Sequence, residues 1–335
     1  MVWGFNRTVG IYKNKVDRGG KLNSEFNNRN LEIFLTLIAS TVLILFGMYY
    51  FPFIIFLYPV LFIILGIRHG LKYSIITLLA SSVLIGLLID ILSGILVFIA
   101  FMPLSLILIN MIRKRKKPIE TLLYSIFTFL ASLLVIITLV DINGVSIIGQ
   151  LKSNITQIVN SQMELLKQLD LTKEQLLEIE GLQKEYLRLV LAMVPSVIMI
   201  LSIVVSYLNY LLSTLFLRKL GHGVVFIPRF SNFKLPRNIF LGLGVMFFTT
   251  FLLKGYGLFN SFEVILNLIV LTLFIFFLQG VAVIDYKLKQ KKIKTVWRIF
   301  ILLFLLDLIP LLGISAILLG LFDSIFDFRR IRSSN

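Results

Sequence analysis

PFIIFLYPVLFIILGIRHGLKYSIITLLASSVLIGLLIDILSGILVFIAFMPLSLILINMI, running from Pro52 to Ile112, decides the fold. Its apolar residues are broken only at Gly66-Ile67-Arg68-His69-Gly70-Leu71-Lys72 and between Asp90 and Gly94. A helix crossing the ~30 Å hydrocarbon layer needs about 20 mainly apolar residues. The stretch therefore holds three successive crossings with almost no loop between them, the pattern of a polytopic membrane protein.

Composition extends that reading to the whole chain. Of 335 residues, 58% are hydrophobic and 15% charged, 30 are Phe, and the mean hydropathy is +0.95. A water-soluble domain carries much more charge. Residues 1–30 are polar and basic, and the first apolar run is too long for a signal-peptide core, so no cleavable signal is expected. With zero cysteines the chain has neither disulfides nor thiolate metal sites. The richness in Ile, Leu, Lys and Asn matches an AT-rich bacterial genome, which points to a bacterial cytoplasmic membrane.

Eight spans follow from the apolar runs: 31–50, 53–67, 73–89, 95–112, 119–140, 189–217, 238–253 and 262–284. The second is short and contains Pro59, so it must be tilted, kinked or partly spanning. Orientation comes from Lys and Arg, which concentrate in cytoplasmic loops. The basic tail 1–30, the Arg68-His69-Lys72 turn, the loop from Arg218 to Arg237 and the loop from Asp285 to Arg298 all read as cytoplasmic, and the N-terminus with them. Arg113-Lys114-Arg115-Lys116-Lys117 is the strongest such marker and the candidate contact for anionic lipid headgroups, since juxtamembrane cations gain about 1 kcal/mol each at an anionic surface.

Residues 141–188 form the long polar insertion. Ile147, Leu151, Ile155, Ile158, Leu165 and Leu169 share one helical face, and Thr172-Lys173-Glu174-Gln175 matches a capping box that starts a second helix. An antiparallel hairpin about 30 Å long is expected on the extracytoplasmic side, with its second helix running straight into the span at 189. The organisation is thus a tail (1–30), an N-terminal transmembrane bundle (31–140), the hairpin (141–188), a C-terminal transmembrane bundle (189–328) and a basic tail (329–335). Residues 299–322 read either as one span or as a short hairpin bent at Pro310 that returns the tail inside. The fold class is an all-α polytopic transmembrane helical bundle.

The chain has no Gly-x-x-x-x-Gly-Lys-Ser/Thr loop and no His-Glu-x-x-His, so it lacks a P-loop of its own and a zincin motif. Its two histidines, His69 and His222, lie in glycine-flanked turns and read as solvated. No catalytic residue, metal or cofactor is expected, nor is nucleic acid among the partners. Asp90, Glu263, Asp285, Asp307, Asp323 and Asp327 are the ionisable groups within or near the bilayer. A central Asp costs about 2.5 to 3.5 kcal/mol on insertion scales, which makes Asp307 the leading candidate for substrate contact. Asn267, Gln279, Asn209, Asn110 and Ser82 complete the candidate set, as polar side chains on apolar spans.

Pro59, the Gly66-Ile67-Arg68-His69-Gly70 turn, the small-residue run Ala80, Ser81, Ser82 and Gly86, and the closing Leu319-Gly320-Leu321-Phe322-Asp323-Ser324-Ile325-Phe326-Asp327-Phe328-Arg329 resemble the YybS-like family of uncharacterised bacterial inner-membrane proteins. That family is distantly similar to the substrate-binding S components of energy-coupling-factor vitamin transporters. The resemblance implies a subunit that holds a small molecule and depends on separate transmembrane and ATPase subunits. Two departures stand out: the first span offers Thr36-x-x-x-Ser40 where those subunits have Ala-x-x-x-Ala, and the 141–188 hairpin has no counterpart. No binding residue is carried over. Two functions stay open, a small-molecule carrier or substrate-binding membrane subunit, and a non-transporting scaffold or regulator that recruits envelope or cytoplasmic partners.

Overall fold

The computed structural model describes residues 18–142, 146–166, 172–222, 230–236, 238–254, 260–294, 297–298, 301 and 309–329, with side chains from Arg29 onward except at 147, 173 and 309–312. Every regular element among them is helical. The first helix, α1 (Arg18–Tyr49), starts earlier than the apolar run because no proline interrupts 18–49. The short second span resolves into a 3-10 turn over Pro52–Leu57 and α2 (Tyr58–His69), which has Pro59 in its first turn. At that position the missing proline N–H leaves no intrahelical bond unmade. Three long helices follow: α3 (Leu71–Leu88), α4 (Ile91–Arg113) and α5 (Pro118–Ile142).

The central element of the N-terminal half is α2, which packs against α1, α3 and α4. Its Tyr58 ring lies 4.7 Å from Phe62 and 5.5 Å from Phe101, and Phe101 stacks in turn on Phe129 of α5 at 6.0 Å. Ile44, Ile63, Leu78, Ile85, Leu104, Leu108 and Ile109 close the same apolar core. His69, expected as a solvated turn residue, instead converges with Arg68 on Glu32 Oε2 of α1, each at 2.7 Å. The acid on the neighbouring helix draws them off the water side.

The polar insertion forms α6 (Ile147–Leu166) and α7 (Lys173–Ala192), which pack on each other. The capping box is present, with Gln175 N donating to Thr172 Oγ1 at 3.3 Å and Thr172 N to Gln175 Oε1 at 3.0 Å. Leu169, expected on the first helix face, lies outside the described residues. As expected, the second hairpin helix runs past 189 into the apolar span, as far as Ala192. At Met193 the chain leaves α7 and restarts as α8 (Val194–Lys219), because Pro195 cannot continue the hydrogen-bond ladder.

The C-terminal half comprises α9 (Ile239–Leu253), α10 (Ser261–Gln290) and α11 (Ile309–Phe326). Among the described residues seven helical segments are long and apolar enough to cross a membrane, with Pro52–His69 taken as one, and α9 and α11 are shorter apolar helices. At 1.5 Å per residue, α9 spans only about 22 Å. Residues 302–308, which decide between one span and a hairpin for 299–322, lie outside the described residues; Pro310 stands in the first turn of α11. The two halves are joined by α8, which packs on α2 and α5 to one side and on α10 to the other.

Candidate functional site

The joining helix α8 buries a polar face in an apolar bundle. Ser202, Ser206, Asn209 and Ser213, spaced by four, three and four, are all fully buried. That spacing keeps them on one stripe. Ser202 Oγ donates back to Ile198 O at 2.8 Å, the ordinary resting place for a serine in a membrane helix. Asn209 Nδ2 donates to Val205 O and to Phe56 O, both at 2.8 Å. Phe56 O is available because a 3-10 bond at that point would need the N–H that Pro59 lacks. Three buried atoms of the stripe, Ser206 Oγ, Asn209 Oδ1 and Ser213 Oγ, have no hydrogen-bond partner among the described residues.

The other sequence-derived candidates scatter. Asn267 is fully engaged as a clamp: its Oδ1 accepts from Ser196 N at 2.8 Å, and its Nδ2 donates to Ala192 O and Glu263 O, both at 2.7 Å. It thereby satisfies backbone groups freed at the α7–α8 break and ties them to α10. Ser82 Oγ bonds back to Leu78 O at 3.0 Å, whereas Asn110 is exposed on α4. Asp307 lies outside the described residues. Of the basic run, Arg113 Nη2 caps α2 by donating to Gly66 O at 2.8 Å, and Lys116 approaches Glu120 at 3.9 Å. Lys114, Arg115 and Lys117 are exposed.

Gln279 belongs to a second site that the sequence reading did not assemble. Its Oε1 accepts from Leu235 N at 3.1 Å and its Nε2 donates to Asp323 Oδ2 at 2.8 Å. Arg329 donates to the same oxygen from Nε at 3.2 Å and Nη2 at 2.8 Å, and from Nη1 to Ser231 O at 2.8 Å. Both members of this pair are fully buried as side chains. Lys234 pairs with Asp327 beside them, and Asp285 accepts from Arg298 Nε at 2.9 Å. The carboxylate at Asp285 is thus held by an arginine.

Below this network α10 and α11 touch backbone to backbone. A Cβ on Gly280 would lie 1.8 Å from Ala316 O, and one on Gly320 would lie 1.9 Å from Phe276 O. The Gly320, Asp323, Asp327 and Arg329 of the closing sequence are therefore one device, a close helix crossing fastened by buried charge. Arg329 read from sequence as part of a basic tail. The available signal was an arginine six residues after an acid at the end of an apolar helix.

Among the described residues no three His, Asp or Glu side chains are grouped to hold a metal ion. The chemistry on offer is hydrogen bonding along α8 and a buried ionic fastening at the end of α10 and α11. A family model described as a predicted membrane protein (DUF2232) matches residues 38–324. No curated protein and no solved structure matches the chain.

Proposed function

The chain belongs to the predicted membrane protein family DUF2232, and from that premise we propose that it binds a small polar molecule within the bundle, as a carrier or as the substrate-binding subunit of a transporter. The observation that carries this reading is the α8 stripe, where Ser206, Asn209 and Ser213 each bury a polar atom that has no partner among the described residues. In hydrocarbon an unsatisfied polar group costs several kcal/mol. A ligand with matching donors and acceptors would remove that cost. The stripe also abuts the turn-and-restart at Pro52–His69, and transporters hold substrate where helices are interrupted near polar groups.

This reading places the protein in the bacterial cytoplasmic membrane with its N-terminus inside. It makes the protein a binding protein and not an enzyme. With no P-loop in the sequence, energy would come from elsewhere, through transmembrane and ATPase partners like those that serve the S components of energy-coupling-factor transporters. The scaffold reading has one feature in its favour, a groove of about 470 Å³ between α6 and α7, lined by Ile155, Ile158, Ile179, Leu182 and Tyr186.

Native mass spectrometry of the gently purified protein tests both. A stoichiometric small molecule that is retained by the native chain and lost in Ser206→Val/Ser213→Val supports the carrier reading. A ligand retained undiminished by that variant removes the stripe from the site. Lipid alone, together with an envelope protein released when 146–166 is replaced, would turn the assignment to a scaffold.

A further inference from the structure

At the end of α10 an apolar groove of about 350 Å³ runs between that helix and the C-terminal end of α11. Its floor is Val283, Ile284, Leu288, Leu319 and Phe328, and its remaining wall is Lys287 and Lys291. The two lysines are four residues apart, so they lie one above the other on the same helical face. Both are exposed, and neither forms an ion pair among the described residues. Three acids on α10 and at the end of α11 are occupied by other cations: Asp285 by Arg298, Asp323 by Arg329 and Asp327 by Lys234. An apolar trough thus opens beside two exposed cations with no ion pair among the described residues, at the end of a 30-residue apolar helix long enough to cross a membrane.

The geometry points to a bound anionic phospholipid, with one acyl chain along Val283, Ile284, Leu288, Leu319 and Phe328 and its phosphate between Lys287 and Lys291. Two features select this occupant. The apolar floor offers nothing to a free phosphate, and the paired ammonium groups favour a headgroup with net negative charge over a zwitterionic one. The site is separate from the Arg113–Lys117 run, which follows α4. It requires only the membrane-spanning fold and is independent of what α8 binds.

The test is native mass spectrometry and lipid titration of the full chain taken from vesicles of phosphatidylcholine mixed with phosphatidylglycerol. The native chain should retain one phosphatidylglycerol that survives collisional activation longest. Removing both charges in Lys287→Gln/Lys291→Gln should weaken its retention about thirtyfold, from roughly one juxtamembrane charge contribution per lysine. Lys287→Arg/Lys291→Arg should retain it. Phe328→Ala should weaken the lipid without creating affinity for inorganic phosphate. Equal retention of phosphatidylcholine, unchanged affinity in the double glutamine variant, or displacement by inorganic phosphate alone would each overturn the assignment.

Discussion

The two halves of the bundle are held by different means. In the N-terminal half, α1 to α5 share one apolar core around Tyr58, Phe62, Phe101 and Phe129, and the Glu32–Arg68 pair at its edge keeps side-chain exposures of 27% and 30%. In the C-terminal half the described apolar core is thin, Leu235, Phe276, Val281, Ala282, Val283 and Ala316, while the Asp323–Arg329 pair has no exposure at all. Lipid is as apolar as leucine, so expelling side chains from it gains little, and close packing and hydrogen bonds must fix which helix meets which. The first half achieves this with interlocking rings. The second achieves it with a glycine crossing and a buried ionic fastening, so a single substitution there should do more damage.

The largest effect is expected at the fastening. Arg329→Ala leaves Asp323 buried without a counter-charge, and breaking a buried pair from one side costs about 3 to 5 kcal/mol. SDS titration of the folded protein, followed by helix content and by proteolysis of the C-terminal segment, should show α11 released while the N-terminal half stays protected. A uniform loss of protection across the chain would show that the halves are one cooperative unit. The apolar replacement Asp323→Leu/Arg329→Met should recover much of the loss, as such exchanges do elsewhere.

Next in size is the crossing itself. Gly280→Ala places a methyl against the Ala316 carbonyl, a backbone atom that cannot rotate aside. Overpacking costs about 1 to 3 kcal/mol, and the upper end applies here. Disulfide trapping between cysteines introduced on α10 and α11 reports the separation directly. Trapping undiminished in the Gly280→Ala background would mean that the contact is looser than its geometry.

The contrasting substitution is Ser81→Ala in the N-terminal half. It removes a hydroxyl bond to Ser40 at 2.8 Å and a longer one to Thr41 at 3.4 Å. Membrane hydrogen bonds of this kind average about 0.6 kcal/mol, and Ser40 keeps its bond to Leu37 O. The same SDS titration should barely move. A loss comparable to that of Arg329→Ala would erase the distinction between the halves.

What the sequence made legible follows the range of each interaction. Spans were readable because a crossing needs a run of apolar residues, and the α7 start was readable because Thr172 and Gln175 lie three residues apart. The fastening was not, since Gln279 and Asp323 are 44 positions apart and Arg329 reaches 98 positions back to Ser231. Asn267 and Gln279 were visible as polar residues on apolar spans, but their partners are mostly backbone groups freed at the Met193 break and around Leu235, which no side-chain pattern announces. Of the sequence-derived candidates only Asn209 falls on the stripe that carries the functional reading, and Ser206 and Ser213 join it on the same span.

The smallest effect belongs to the most local contact, the α3–α4 turn. Asp90 caps α4 by accepting from Ser93 N at 2.8 Å and from Ser93 Oγ at 2.5 Å. The Ser93 hydroxyl first, and the Ser93 amide second, hold its carboxyl below the ordinary range. A depressed acid contributes to the fold above its unfolded pKa, and that contribution is lost as pH falls through the folded value. Carboxyl NMR titration of Ser93→Ala should therefore show the Asp90 midpoint moving up toward the ordinary aspartate value. Asp90→Asn should remove the acid-dependent loosening while preserving the cap, because asparagine serves that position about as well. Both variants should leave SDS resistance almost unchanged, since the residue is fully exposed and its bonds span three positions. An Asp90 midpoint unmoved by Ser93→Ala would show the amide to be the main support, and the turn would then be fixed by backbone alone.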